Sequence, residues 1–259
     1  MSPGAGNAFT KLYRVSPNFA RKQRMKKTLY PSESRGKAEH GWLKSRFSFS
    51  FAGYYDPGRV HFGLLRVLND DIIAAGTGFG MHPHDNMEIV SIVLKGDLLH
   101  GDNTGNESSL KAGEVQIMSA GTGIVHSEHA SDAGEVHLLQ IWVFPKERNI
   151  KPRYDQKVFD EKDKDGKFQT VVSPDEADHA LWINQDAWFS IGNFNEAKEV
   201  NYTLHKSGNG IFAFVIAGGM DIAGESLGNR DAIGIWDADT LQMNIQARAE
   251  VLLIEVPMN

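Results

Sequence analysis

Short apolar and alternating runs, separated by glycine-rich turns, recur along this 259-residue chain. Phe47-Ser48-Phe49-Ser50-Phe51 alternates aromatic and small polar residues, which predicts a strand with one buried face. Tyr54-Tyr55-Asp56-Pro57-Gly58 reads as a turn. Leu64–Leu68 reads as a second strand, closed by Asn69-Asp70-Asp71. Glu88–Leu94 is a third, and Gly113–Met118 leads through a glycine-rich turn into a fourth. Residues 145–168 are polar and turn-rich and read as a solvated linker or hairpin tip. Strands resume at Thr170-Val171-Val172, and Ile211–Ala217, Ala232–Trp236 and Val251–Val256 read as core strands of a second, similar unit. Val215-Ile216-Ala217-Gly218 echoes Val93-Leu94-Lys95-Gly96, a sign of internal repetition. No amphipathic helix is evident. The pattern predicts an all-β protein built as a sandwich or barrel.

Composition narrows this picture. The 26 glycines suit many short strands and turns, and the hydrophobic fraction of 41% is enough for a core. The chain has no cysteine, which removes disulfides and thiolate metal sites and fits a reducing, cytoplasmic setting. No run approaches the length of a membrane span, and no apolar signal segment is seen. Charge is uneven. Residues 1–32 carry seven Lys/Arg and no acid, leaving 20 basic against 33 acidic residues in the rest, a net of −13. An acidic body argues against direct binding to a nucleic-acid backbone. The basic leader, residues 1–26, is expected to be disordered. It reads as a transit peptide, a partner-binding arm, or an extension upstream of a second start at Met25. The last reading is favoured because the recognisable domain begins just after Met25.

The candidate chemistry lies in two pairs, His82-Pro83-His84 and His126-Ser127-Glu128. In a strand, alternate side chains share a face, so each pair presents both of its groups together. Two such strands lying antiparallel would bring three imidazoles and a carboxylate to one point, a donor set for a divalent transition metal with open positions. One His-x-His alone is more often incidental; the second pair raises the case. The second half has only His179 and His205, so a second metal site there is not expected. His100 reads as a turn residue before Gly101-Asp102-Asn103. His129 points away from Glu128 in a regular strand. Phe79, Met81 and Met118 read as core.

Several segments together resemble the pirin family of the cupin superfamily. They are His40-Gly41-Trp42-Leu43, Phe49-Ser50-Phe51-Ala52 with Tyr54-Tyr55-Asp56-Pro57, Gly78-Phe79-Gly80-Met81-His82-Pro83-His84, the run from Gln116 to Glu128, and Gln140-Ile141-Trp142. The likeness covers residues 27–259 and is strongest from 40 to 145. It implies two cupin jelly-roll barrels in tandem: residues 27–150 with a metal site and residues 151–259 without one. It implies one metal, iron first, with nickel, manganese, cobalt or copper also accepted by three His and one Glu. The implied ligands are His82, His84, His126 and Glu128. In the general cupin pattern the carboxylate follows the His pair by about four residues, which makes Glu88 the rival fourth ligand. The His-Ser-Glu arrangement marks pirins and favours Glu128, with Glu88 hydrogen-bonding a ligating imidazole instead.

The resemblance implies a dioxygenase that opens flavonols such as quercetin and releases carbon monoxide, with Glu128 as the catalytic carboxylate that takes the 3-hydroxyl proton. The alternative it implies is a non-enzymatic, metal-dependent regulator that binds a transcription factor or metabolic enzyme. The expected partners are thus a flavonol or a protein, with no direct nucleic acid and no membrane. A monomer is the favoured oligomeric state.

Overall fold

A computed structural model describes Met1 and residues 25–259. The basic leader expected to be disordered lies, from residue 2 to residue 24, outside the described residues. The first-half strands are β1 (Lys26–Tyr30), β2 (Gly36–Glu39), β3 (Leu43–Phe47), β4 (Leu65–Ile73), β5 (Gly78–His84), β6 (Glu88–Lys95), β7 (Asp97–Asp102), β8 (Glu107–Lys111), β9 (Glu114–Ser119), β10 (Ile124–Ala130), β11 (Val136–Val143) and β12 (Arg153–Val158). They are followed by β13 (Phe168–Ser173), β14 (Leu181–Trp182), β15 (Trp188–Phe194), β16 (Lys198–Thr203), β17 (Asn209–Ala217), β18 (Met220–Ile222), β19 (Glu225–Leu227), β20 (Ala232–Trp236), β21 (Thr240–Ile245) and β22 (Ala249–Pro257). Among the described residues, α-helix is confined to the single turn Glu161–Lys164.

The strands form two jelly-roll barrels in tandem, each made of a seven-stranded and a four-stranded sheet. In the first barrel the orders are β12-β9-β6-β11-β4-β3-β2 and β5-β10-β7-β8; in the second they are β1-β20-β17-β22-β15-β13-β14 and β16-β21-β18-β19. The chain exchanges one strand in each direction. β1 pairs with β20 at the edge of the second barrel, and β12 pairs with β9 at the edge of the first. Residues 145–168 are thus more than a solvated linker. The sequence signal for β12 is weak because it is an edge strand, charged and mostly exposed.

The two seven-stranded sheets pack face to face. Val90 and Ile92 of β6, Val115 and Ile117 of β9, and Leu139 and Ile141 of β11 join one core with Phe189 of β15, Phe212 and Phe214 of β17, and Leu252 and Ile254 of β22. The alternate residues of the same strands turn into the barrels. These central strands are buried on both faces, which is why they read as apolar runs without alternation. Val93-Leu94-Lys95-Gly96 and its echo end β6 and β17 alike, with Gly96 and Gly218 at φ +78° and +76°.

Two local expectations are corrected. β3 ends at Phe47, and Phe47, Ser48, Phe49 and Ser50 are all buried. Phe49 turns to Tyr30 and Phe212 between the barrels, while Phe47 packs on Phe51. Both faces are covered, not one. Asn69-Asp70-Asp71 does not close a strand but continues β4. Partners make that burial tolerable: Asp71 accepts from Ser45, and Asp70 accepts from His137, Arg35 and Arg230. Arg230 comes from the other barrel, so Asp70 also ties the two halves together.

The barrel interiors differ. The second is mainly apolar, filled by residues such as Ile211, Val215, Met220, Met243 and Leu253, with one polar cluster where buried Glu255 accepts from Tyr202, the His205 N–H and Asn209. The first holds two apolar clusters, one around Val93, Leu98 and Leu138 and one around Ile89, Met118 and Ile124. Between them along β6, β9, β10 and β11 lie Ser91, Gln116, His126, Glu128 and Gln140.

Candidate metal centre

β5 and β10 lie antiparallel, with His126 opposite His82 and Ile124 opposite His84. A bulge between His126 and Glu128 shifts the register, so that Glu128 faces Phe79. β10 keeps strict alternation: Ile124, His126, Glu128 and Ala130 are buried, and the residues between are half-exposed. The two strands approach closely because residue 78 is glycine. A Cβ there would stand 2.2 Å from the Glu128 carbonyl oxygen.

The three imidazoles converge. Ring centroids are 4.4 Å apart for His82 and His126, 4.8 Å for His82 and His84, and 4.9 Å for His84 and His126. Their nitrogens fall within 4.8 Å of one another. Nδ1 of His82 lies 2.8 Å from the Gly80 carbonyl, which makes it the protonated nitrogen and leaves Nε2 with its lone pair. Burial, then the neighbouring imidazoles His126 and His82, lowers the pKa of His84 to about 4. Burial, then His82 and His100, lowers His126 to about 3. Both are therefore neutral near pH 7, the state in which imidazole donates to a metal. Both ring nitrogens of His126 are buried without a hydrogen-bond partner. Unpaired buried nitrogens are costly, and a cation would satisfy one of them.

Glu128 is 3% exposed and is gripped by the opposite sheet. Its Oε1 accepts from Gln116 Nε2 at 2.7 Å and Ser91 Oγ at 3.2 Å, and its Oε2 accepts from Gln140 Nε2 at 2.7 Å. These donors come from β9, β6 and β11 in adjacent register, with Gln140 opposite Ser91 and Ser91 opposite Gln116. All three are neutral donors from one sheet, so they fix the position of the carboxylate. One lone pair of Oε2 remains unengaged by the protein.

Glu88 is placed elsewhere. It lies on the opposite face of β6 from Ser91, accepts from Ser119 Oγ at 2.7 Å, and crosses to the second barrel to accept from the Asn184 backbone N–H at 3.1 Å. It does not hydrogen-bond a histidine. Burial pushes its carboxyl up to about 7.

His100 is not a turn residue. It is buried in β7 directly opposite Glu128, and its donor atoms fall within 4.8 Å of those of His126 and Glu128. Its Nε2 meets Asp102 at 3.2 Å, and Nδ1 has no partner. His129 is half-exposed and out of phase with Glu128. Met118 is core. Phe79 packs on Trp42 at 5.1 Å and also reaches His82, whereas Met81 is 59% exposed and not core.

Sequence reasoning gave no role to Ser91, Gln116, Gln140 or Tyr154. The first three had a signal: a lone polar residue within an otherwise apolar strand, which needs a buried partner. Tyr154 had none, because β12 was not expected there.

A family model described as Pirin matches residues 29–143, and one described as the quercetinase C-terminal cupin domain matches residues 170–256. The chain is 42% identical to a quercetin 2,3-dioxygenase of Escherichia coli K12, over 88% of this chain and 98% of that protein. It is 40% identical to a pirin-like protein of Caulobacter vibrioides, over 87% and 97%. The crystal structure of bacterial pirin YhhW from E. coli in complex with nickel(II) superposes with a TM-score of 0.85 at 40% identity, covering 90% of this chain and 99% of that one. The chain belongs to the pirin family, within the cupin superfamily.

Proposed function

We propose that this pirin binds one divalent transition metal, iron first, through His82, His84, His126 and Glu128, and opens flavonols such as quercetin with dioxygen, releasing carbon monoxide. The observation that carries the reading is the convergence of His82 and His84 on the buried His126, whose ring nitrogens lack partners, beside a carboxylate fixed by neutral donors. The names of its relatives support the substrate class, and the nickel complex of YhhW supports the metal. When bound, the metal would hold flavonol and dioxygen together and stabilise anionic oxygen. The protein's part falls to its own side chains. The one free lone pair of Oε2 would hold the metal before substrate binds and would take the 3-hydroxyl proton only once Glu128 has left the metal, while Gln116, Ser91 and Gln140 keep the carboxylate in place. Trp142, edge-on to His84 at 4.9 Å and to Phe51 at 5.3 Å, fixes an imidazole orientation and offers an aromatic wall.

No helix among the described residues is long and apolar enough to cross a membrane. We assign the protein to the cytoplasm as a monomer.

The test is metal analysis of protein purified from its own host, paired with oxygen uptake on a flavonol panel. Quercetin should lose its near-visible absorption band as oxygen is consumed. Protein fully loaded in turn with iron, nickel, manganese, cobalt and copper, with no uptake above free metal, would sink the enzyme reading. Metal-dependent binding of a basic protein partner, suited to the acidic body, would then take its place.

A further inference from the structure

We propose that Tyr154 is a positioning residue for Glu128: its hydroxyl fixes the amide of Gln116 so that Gln116 presents an N–H to the carboxylate. The proposal rests on the reading of Glu128 as a metal donor.

Tyr154 enters the first barrel on β12. Its ring stacks on His100 at 4.4 Å and 23°. Its hydroxyl lies 2.6 Å from Ser108 Oγ, 2.6 Å from Gln156 Oε1 and 3.2 Å from Gln116 Oε1. A phenol has one proton to give and two lone pairs to receive with. Ser108 can fill one lone pair. Gln156 is exposed and can turn its amide to fill the other. Gln116 has no such freedom. Its NH2 is engaged by Glu128 Oε1 at 2.7 Å and Ser91 Oγ at 3.1 Å, so its carbonyl oxygen can only accept. With the Gln156 amide turned to donate, the Tyr154 proton goes to Gln116 Oε1. Burial pushes the phenol up to about 12, so it remains a donor at neutral pH. Without that bond the buried Gln116 carbonyl oxygen has no donor, and the amide is free to tilt off the line on which its N–H meets Glu128.

The probe is cobalt(II), whose affinity and visible absorption report the donor set without requiring turnover. Tyr154→Phe should weaken Co(II) binding about tenfold, the lower range for groups that orient metal ligands, and shift the Co(II) spectrum. In a Gln116→Met background, where no amide remains to orient, adding Tyr154→Phe should change Co(II) affinity by less than about twofold. A Tyr154→Phe protein with wild-type affinity and spectrum, beside a Gln116→Met protein altered in both, would overturn the proposal. The double variant Ser108→Ala/Gln156→Leu keeps the ring and strips the hydroxyl of its other partners. It should bind Co(II) within about twofold of wild type, and a tenfold loss would overturn the proposal even if Tyr154→Phe did not fold. Glu128→Ala separates the two readings. An unchanged Co(II) affinity and spectrum there would remove Glu128 as a donor, and the role of Tyr154 with it.

Discussion

Gln116 and Glu128 meet at 2.7 Å from opposite sheets of the first barrel, joined in sequence by one glycine-rich turn. The contact does two things at once. It satisfies a buried carboxylate, and it pins the four-stranded sheet that carries the histidines to the seven-stranded sheet that packs on the second barrel. Loss of either partner removes the shortest of several hydrogen bonds that each makes in the buried interior, so the pair is costly to break from one side. The site is held by the shape of the whole barrel rather than by a flexible loop.

If the fourth donor is Glu128, the two buried glutamates must separate in a metal assay. His84→Ala and His126→Ala should each lose most bound metal. Glu88→Gln should retain most of it, because that carboxylate faces Ser119 and Asn184 across the inter-barrel seam. Metal per chain, measured by elemental analysis after gel filtration, decides the matter. An empty Glu88→Gln site beside a full Glu128→Ala site would reverse the assignment.

Gly78→Ala probes the same centre through the backbone. The added Cβ would meet the Glu128 carbonyl oxygen at 2.2 Å and the His129 Cα at 2.5 Å. These are main-chain atoms that cannot swing aside, so β5 must move away from β10 and carry His82 away from His126. Overpacking of this kind costs about 1–3 kcal/mol. A lower melting temperature together with lower metal occupancy is expected. Loss of stability with full occupancy would show that the strands separate elsewhere.

The sequence made the tandem all-β architecture legible because β17, β20 and β22 are strongly apolar, and it made the histidine pairs legible because strand spacing is local information. What it hid was long-range. Leader-side Lys26–Tyr30 joins the second barrel, and only Tyr30 of that strand is buried, so no pattern announced it. Asn69-Asp70-Asp71 looked like a turn because three polar residues in a row usually are one; Arg35 and Arg230, which pair with the buried Asp70, are distant in sequence. His100 looked peripheral because its partner across the strand pair, Glu128, lies beyond two further strands.

Tyr30 tests the strand exchange. It is 4% exposed, with Phe212 at 5.0 Å and Phe49 at 5.7 Å, although one of those belongs to each barrel. Tyr30→Ala should cost about 3 kcal/mol, at the low end for removing a buried aromatic ring. Denaturant unfolding with an unchanged slope checks it. A loss below about 1 kcal/mol would mean that β1 contributes little to the junction.

The seam between the barrels should also respond to pH through Glu88. Its carboxyl rises from an ordinary 4.5 to about 7 because it is buried, so the folded protein holds a proton that the unfolded chain has released between those values. The stability tied to that proton is fully present below pH 4.5 and is lost as pH rises through 7. The loss is on the order of 3 kcal/mol by linkage. Asp71, pushed up by burial to about 7, acts in the same direction. His84 and His126 act oppositely, since burial lowers their pKa values and their contribution is lost as pH falls below the ordinary imidazole range. Their effects cancel when Glu88→Gln is compared with wild type in metal-free buffer. Glutamine can place its carbonyl oxygen at the Oε2 position and accept from both Ser119 and Asn184, and it does not titrate. The melting temperature of Glu88→Gln relative to wild type should therefore climb by several degrees between pH 5 and pH 8, at about 2–4 °C per kcal/mol for a chain of this size. A difference that stays flat across that range would show that Glu88 is already ionised in the folded protein at pH 5.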